Sequence, residues 1–247
     1  MNTVEPLRDA ELLGRIQREL EAEENEHWRR IYLLFMTGIY TGLRISDIVK
    51  LRVENVNNGD KIRLREKKTE KWGKQANIKI NPILRAVFDD RLEGKNPKDF
   101  LFPSRQRDNQ GRVKPITTVT AENDLKLIKQ RYNIRFPFSC HSLRKTFGYW
   151  HYKKYGDLEA LRQHFNHSTE TVTRRYIGID EEERNRMIEG LRIGNYTPNR
   201  AKPAKKRSNK LNKPVETKYH DRTKQGTIYK GKAQGQLTKV KEARGIL

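Results

Sequence analysis

Apolar side chains recur every three or four positions near the start of the chain, which predicts two amphipathic helices. The first set is Leu12, Leu13, Ile16 and Leu20. Asp9 stands where it can cap this helix, and a second set with the same spacing runs from Trp28 to Ile39. Gly42 predicts the end of the second helix, and the apolar residues after it predict a third helix with Arg44 in its first turn.

The pattern then changes to strict alternation of apolar and polar residues in the segments KIRLRE and QANIKI. A period of two is typical of β-strands, and the charged segment KKTEKWGK separates the two runs. The sequence therefore predicts a β-hairpin with a basic tip, which carries Lys67, Lys68, Lys71 and Lys74.

Helical spacing dominates the rest of the first 195 residues. A helix is predicted from Pro82 to about Leu92, and the polar segment FLFPSRQRDNQGR after it is expected to be a loop. Further helices are predicted over about 118–132, 142–155, 158–165, 169–176 and 180–191. The predicted fold class is mostly α with a small antiparallel β-sheet (α+β), and no internal repeat is evident.

Charge is distributed unevenly along the 247 residues. Lys and Arg number 53 against 31 Asp and Glu, a net charge of +22, which favours a polyanionic partner such as nucleic acid. From Arg200 to Leu247 there are 15 basic and 3 acidic residues, a net charge of +12. We expect a folded domain over 1–195 and a basic, flexible tail over 196–247, because the start of the tail has few apolar residues to bury. Its candidate DNA-binding residues are Lys202, Lys205, Lys206, Arg207, Lys210 and Lys213. The alternative is a solvating tail without a partner.

Composition also excludes several classes of site. Cys140 is the one cysteine, so neither an intramolecular disulfide nor a cysteine-rich zinc site can form. No apolar run approaches the length of about 18 residues typical of a membrane span, and the N-terminus lacks the order of a secretory signal. We therefore expect a cytoplasmic protein, associated with the nucleoid, with no membrane partner.

Four segments carry residues suited to chemistry on phosphodiesters. They are TGLRISD, the hairpin with its lysines, HSLRKTF, and FNHSTETVTRRYIGI. Arginines clamp phosphate oxygens, histidines move protons near neutral pH, a lysine can act as an acid, and a tyrosine can form a covalent phosphoester.

The order and spacing of these segments resemble, motif by motif, the catalytic domain of the tyrosine recombinases, the phage integrase family. His167 and Tyr176 are nine positions apart, and Arg144 precedes His167 by 23, both typical of that family. The resemblance covers about residues 6–193 and implies the catalytic-domain fold of these recombinases.

The resemblance also implies roles for individual residues. Tyr176 would attack the scissile phosphate, leaving a 3′-phosphotyrosyl linkage. Arg44 and Arg144 would bind the non-bridging oxygens, and Lys68 would protonate the leaving 5′ oxygen. His141 and His167 would handle the tyrosine proton and hydrogen-bond the phosphate, and Asp47 would brace the site as a supporting carboxylate. The covalent linkage conserves the bond energy, so neither a nucleotide cofactor nor a metal ion is expected.

Other interpretations of these residues remain open. Arg44 could be a helix-start cation paired with Asp47, while His141 could be a helix cap and Arg144 a surface base. Lys67 and Lys71 share the hairpin tip with Lys68. Tyr149, Tyr152 and Tyr155 are rival nucleophiles, although their apolar neighbours favour packing in a core helix, and His164 is expected on a helix surface.

The chain departs from the family pattern in two places. Phe165 and Asn166 replace the usual Leu-Gly before the histidine, and asparagine tolerates the left-handed backbone that glycine often supplies there. Most family members also carry a helical core-binding domain upstream, whereas here the resemblance begins close to Met1. The basic tail is therefore expected to supply part of the grip on DNA.

The sequence favours a site-specific recombinase of a mobile element, an integrase, resolvase or inverting enzyme. Its expected partners are double-stranded DNA, further copies of the chain in a tetramer on DNA, and an accessory protein. Two alternatives are a DNA-binding regulator with the same fold and a type IB topoisomerase, which uses a similar set of residues without exchanging strands.

Overall fold

The computed structural model describes residues 4–57, 59–65 and 75–193. The chain divides after Arg192 into two units, and almost all of the described residues belong to the first. No helix in these ranges is long and apolar enough to cross a membrane.

Ten helices and four strands make up the described fold. The helices are α1 (Ala10–Glu21), α2 (Glu26–Thr41), α3 (Ile45–Ile48), α4 (Glu54–Asn57), α5 (Pro82–Leu92), α6 (Thr118–Arg131), α7 (Cys140–Tyr155), α8 (Leu158–Phe165), α9 (Glu170–Ile177) and α10 (Ile179–Gly190). The strands are β1 (Lys61–Arg65), β2 (Gln75–Lys79), β3 (Pro103–Arg107) and β4 (Val113–Pro115). A mostly helical fold with small antiparallel sheets is thus confirmed.

Helix α2 lies at the centre of the main core and packs against α1, α5, α6 and α7. Its buried residues include Ile31, Leu34 and Phe35, each fully inaccessible to solvent. The predicted caps of the first two helices are confirmed, because Asp9 accepts from the amides of Glu11 and Leu12 and Gly42 ends α2 with φ 61°. The C-terminal end of α2 lies against α7, since a Cβ atom at Gly42 would lie 2.5 Å from Phe147 Cδ1.

The two sheets are separate hairpins, each with two antiparallel strands. Strands β1 and β2 form the predicted hairpin with Ile62 opposite Ile78. The prediction of a loop after α5 is wrong, since β3 and β4 pair there. Asp108 accepts from the amides of Gln110 and Arg112, which builds a turn out of polar residues. The strands lack buried apolar residues on either face, so the sequence shows no alternation there.

A second, smaller apolar cluster joins α7, α8, α9 and the start of α10. Its buried members are Tyr149, Leu161, Phe165, Ile177 and Ile179. Gly148 allows the close approach of these helices, because a Cβ atom there would lie 2.6 Å from Ile177 Cγ2 and 2.8 Å from Phe165 Cε2. We expect the ends of α8 and α9 to be held firmly against α7 by this packing.

Candidate active site

Two arginines from distant parts of the chain meet at one backbone carbonyl. The Arg144 Nη2 atom donates to the carbonyl oxygen of Phe165 at 3.1 Å, and Arg44 Nη2 approaches the same oxygen at 3.5 Å. Arg144 also donates through Nη1 to the carbonyl of Gly42. Arg144 is only 4% exposed, so the interpretation of it as a surface base is wrong.

The local backbone explains why the guanidinium groups gather there. Phe165 is the last residue of α8, and Asn166 follows in the left-handed region with φ 53°, as expected for a residue in place of glycine. The last carbonyls of a helix lack partners within the helix and carry its partial negative charge. Cations are therefore stabilised at this helix end, on the side that faces α7.

Arg44 reaches the site from the turn between α2 and α3. It is the N-cap residue of α3, with extended backbone angles, and is partly buried. The predicted third helix is confirmed only as a single turn, Ile45–Ile48. Asp47 lies within that turn and is 5% exposed, and Ser46 Oγ donates to its Oδ1 atom at 3.4 Å. The Asp47 carboxylate is thus buried within the helical turn that begins directly after Arg44.

His167 stands just after the left-handed residue that ends α8. Its Nδ1 atom lies 3.1 Å from Thr173 Oγ1, and that hydroxyl donates to the carbonyl of Thr169 at 3.3 Å. If the hydroxyl gives its single hydrogen to that carbonyl, the imidazole donates through Nδ1 and its Nε2 atom is the acceptor. Burial, followed by the charges of Arg144 and Arg44, lowers the pKa of His167 to about 4. The ring is therefore neutral at neutral pH.

Tyr176 completes the group from α9. Its ring contacts His167 and Phe165 edge to face, with centroid separations of 5.1 and 5.5 Å. Burial raises the pKa of the Tyr176 phenol, whereas the charge of Arg144, a hydrogen bond from it, and the charge of Arg44 lower it. The phenol, a neutral imidazole and two guanidinium groups thus share one site.

His141 lies in the first turn of α7, three positions before Arg144 and on the same face of the helix. Its side chain is exposed. The interpretation of His141 as a helix cap is wrong, because Ser139 is the N-cap and accepts from the amide of His141. An exposed histidine at this position is accessible to a bound ligand.

Several predicted residues lie outside the described residues. These are Lys68, with its neighbours Lys67, Lys71 and Lys74 on the hairpin tip, and Lys202, Lys205, Lys206, Arg207, Lys210 and Lys213 in the tail. Their assignments remain predictions.

The rival tyrosines differ in their surroundings. Tyr149 is 6% exposed and Tyr152 packs against the same apolar cluster, as expected. The packing explanation is wrong for Tyr155, which is 62% exposed at the end of α7.

The contacts of several residues near the site, among them His164 and Thr173, were not predicted from the sequence. His164 was expected on a helix surface, but its ring stacks on Phe147 with centroids 4.7 Å apart and its Nε2 atom lies 2.8 Å from the carbonyl oxygen of Thr41. Nothing in its spacing indicates this contact. Thr173 could have been identified from the sequence, because it precedes Tyr176 by three positions and therefore lies on the same face of α9.

The lowered pKa of His167 predicts a pH-dependent stability. Unfolding restores the ordinary pKa near 6.5, so the unfolded state binds a proton between pH 6.5 and about 4 that the folded state does not. We expect the free energy of unfolding to fall as the pH is lowered through this range, and to fall less in His167→Gln. Urea titrations of both proteins at several pH values measure this, and superimposable pH profiles would contradict the assignment.

The arrangement is suited to an anionic ligand with several oxygens. A guanidinium has five N–H donors, so it can bind backbone carbonyls and phosphate oxygens at the same time. Within the described ranges, no group of three or more His, Cys, Asp or Glu side chains could hold a metal ion. The site therefore offers cations, a phenol and an imidazole to a phosphate ester.

Comparison with known proteins supports this picture. Residues 9–183 match the sequence model of the phage integrase family, a range that contains all six candidate catalytic positions. The chain is also similar to the probable integrase/recombinase YoeC of Bacillus subtilis (strain 168). The two are 34% identical over 183 residues, which cover 74% of this chain and 93% of YoeC.

Solved structures share the fold at lower identity. XerA recombinase matches with a TM-score of 0.56 and 20% identity over 77% of this chain and 68% of its own. XerH site-specific recombinase, bound to a palindromic difH substrate after cleavage, matches with a TM-score of 0.56 and 17% identity over 76% and 53% of the two chains. The expected tyrosine recombinase catalytic-domain fold is confirmed.

Proposed function

Because the chain belongs to the phage integrase family, we propose that it is a site-specific DNA recombinase that cleaves and rejoins strands through a covalent 3′-phosphotyrosyl intermediate. The observation that carries this proposal is the convergence of Arg44 and Arg144 on one helix end beside Tyr176. That arrangement combines a clamp for phosphate oxygens with a nucleophile.

In the first step the Tyr176 phenol oxygen attacks the scissile phosphorus, and the bond to the 5′ oxygen breaks. The phenol proton passes to a base, for which Nε2 of His167 is suited when Nδ1 donates to Thr173 Oγ1. The 5′ oxygen leaves with a proton from Lys68. A 5′ hydroxyl from a second strand then reverses the attack, which restores the phosphodiester and frees the tyrosine.

The two arginines act on the charge that develops during this exchange. The Arg144 guanidinium is held in place by two backbone carbonyls before any ligand arrives, which reduces the reorganisation needed in the transition state. Burial is the largest cause of the lowered pKa of His167, and a phosphate bound between the arginines would offset the second cause, their charges. DNA binding would thus raise the basicity of the imidazole when a proton has to be accepted.

The remaining positions support this centre. His141, accessible on the same face of α7 as Arg144, would hydrogen-bond the bound phosphate. Asp47 would brace the turn that presents Arg44, since it is buried in α3.

The partners follow from the same reaction. Relatives of similar fold, XerH and the integrase of the transposon Tn1549, have structures in complex with DNA. For this chain we propose double-stranded DNA as substrate, a tetramer of identical chains on two DNA sites, and an accessory protein. The enzyme would serve a mobile element as integrase or resolvase, in the cytoplasm and associated with the nucleoid.

The test is incubation with nicked suicide duplexes that represent the ends of the host element, followed by denaturing electrophoresis. A covalent adduct distinguishes the enzyme from a DNA-binding regulator of the same fold. Transfer of the bound strand to a second duplex distinguishes a recombinase from a type IB topoisomerase. Failure to form an adduct on any such duplex would contradict the proposal.

We further expect the basic tail to act as an electrostatic arm on DNA. Each neutralised phosphate steepens the dependence of log affinity on log salt by roughly 0.9, so about four contacts would add about 3 to 4 to the slope. A truncation ending at Asn199 should bind duplex DNA more weakly with a shallower slope, while its preference between sequences changes little. Filter binding over a range of salt concentrations measures this, and equal slopes would mean that the tail does not touch DNA.

A further inference from the structure

A buried lysine lies against the proposed nucleophile. Lys145 follows Arg144 in α7 and is 7% exposed, and its Nζ atom lies 5.3 Å from the centroid of the Tyr176 ring. A cation at this distance over an aromatic face is attracted by the ring quadrupole. Burying an ammonium group costs free energy unless the group has polar or aromatic partners. The partners of the Lys145 ammonium therefore explain why it is stable in this position.

The second contact of this ammonium is with the N-terminal segment. Lys145 Nζ donates to the carbonyl of Val4 at 2.9 Å, across 141 positions of sequence. Burial and the neighbouring Arg8 guanidinium lower the pKa of Lys145, and the carboxylates of Glu5 and Glu181 act in the opposite direction. The ammonium thus lies between the backbone of the N-terminal segment and the ring on α9.

The N-terminal segment is itself fixed to α7, which gives the lysine a firm support. The Leu7 amide donates to Thr146 Oγ1 at 2.9 Å, and Trp150 Nε1 donates to the Leu7 carbonyl at 2.8 Å. The Leu7 side chain is fully buried. Residues 4–8 therefore lie along α7 on the side from which Lys145 reaches the tyrosine.

We propose that Lys145 is a positioning residue for Tyr176, which holds the plane of the ring by a cation–π contact and is itself held by the carbonyl of Val4. The inference rests on the proposed role of Tyr176 as nucleophile. The rings of His167 and Phe165 contact Tyr176 edge to face, and the ammonium limits rotation of the ring away from them. The N-terminal segment thereby becomes part of the support of the nucleophile.

The chain supplies a matched control on the same helix. Lys153 Nζ lies 5.4 Å from the centroid of Tyr149, which is a contact of the same kind with a tyrosine outside the proposed chemistry. Lys145→Met removes the charge at similar side-chain length, Lys145→Arg keeps a cation, and Lys153→Met removes the matched contact.

The experiment measures single-turnover adduct formation on a nicked duplex at saturating enzyme, together with DNA affinity and the unfolding midpoint. We expect Lys145→Met to slow adduct formation by roughly fivefold to thirtyfold, the range that corresponds to a desolvated cation–π contact, with DNA affinity unchanged. Lys145→Arg should recover most of the rate, and Lys153→Met should match the parent. An unchanged rate in Lys145→Met would overturn the inference, as would a loss of rate that is matched by equal losses in affinity and stability.

A second readout does not depend on catalysis. With 3-fluorotyrosine placed at position 176, the fluorine resonance should shift and broaden in Lys145→Met and stay unchanged in Lys153→Met. If the parent forms no adduct, the proposed function fails while this spectrum still tests the contact. An identical resonance in all three proteins would overturn the positioning role.

Discussion

Tyr176→Phe is expected to abolish covalent attachment to DNA while leaving duplex affinity within a few-fold of the parent. The variant lacks only the phenol oxygen that is proposed to attack phosphorus, whereas the phosphate contacts are proposed to come from Arg44 and Arg144, which converge on the Phe165 carbonyl. Loss of a covalent nucleophile reduces the rate by about 10⁴-fold or more, which takes adduct formation below detection. Denaturing gels measure the adduct and mobility shifts measure the affinity.

Tyr152→Phe is the matched control, because this tyrosine packs against the same apolar cluster without a proposed role in the chemistry. It should form the adduct at the rate of the parent. An adduct that persists in Tyr176→Phe at an undiminished rate would show that the nucleophile lies elsewhere.

The second large effect is expected at the acid for the leaving group. If Lys68 protonates the 5′ oxygen, Lys68→Ala should cleave ordinary DNA about 10²-fold to 10⁴-fold more slowly. A substrate with sulfur in place of the bridging 5′ oxygen should restore the rate, because a thiolate leaves without a proton. Single-turnover cleavage of the two substrates measures the rescue.

Arg144→Ala is the comparison for this experiment. Its defect should persist on the sulfur substrate, because Arg144 is proposed to stabilise the non-bridging oxygens and not the leaving group. Lys71→Ala should behave as the parent on both substrates. Equal rescue of Lys68→Ala and Arg144→Ala, or rescue confined to Lys71→Ala, would place the acid at another residue.

The regular helices could be predicted from the sequence, because the spacing of apolar residues and the positions of capping residues indicate the same helix bounds. Helices α5 and α8 have the bounds that the apolar periodicity and their flanking residues predict. The start of α7 was placed two residues late, because Ser139 forms a capping box with Ser142 ahead of the apolar run. Local signals of this kind fix most of the helical part of the fold.

Elements without buried apolar side chains could not be predicted in the same way. The hairpin of β3 and β4 consists of polar residues around a turn at Asp108, so no alternation indicated it. The single-turn helix α4 is likewise too short for a periodic signal. Both depend on backbone hydrogen bonds, which the pattern of side chains does not record.

The site was predicted as a set of residues but not as a geometry. The motif spacing predicts that one site contains Arg44, Arg144, His167 and Tyr176. In the structure these four residues lie close to one another. The two arginines meet at the carbonyl oxygen of Phe165, a backbone atom that has no signature in the sequence. The rings of His167 and Tyr176 contact the ring of the same residue. The contacts of His164 with Thr41 and of Lys145 with Val4 join positions 123 and 141 residues apart, so only tertiary packing reveals them.

The central claim is that Tyr176 is the nucleophile of a DNA strand-exchange reaction. The most direct measurement is proteolysis of the adduct formed by the parent protein on a nicked suicide duplex, followed by mass spectrometry of the peptide that retains the nucleotide. The account predicts a 3′-phosphotyrosyl linkage on Tyr176. A linkage mapped to Tyr149, Tyr152 or Tyr155, or a 5′-phosphate linkage on any residue, would contradict it.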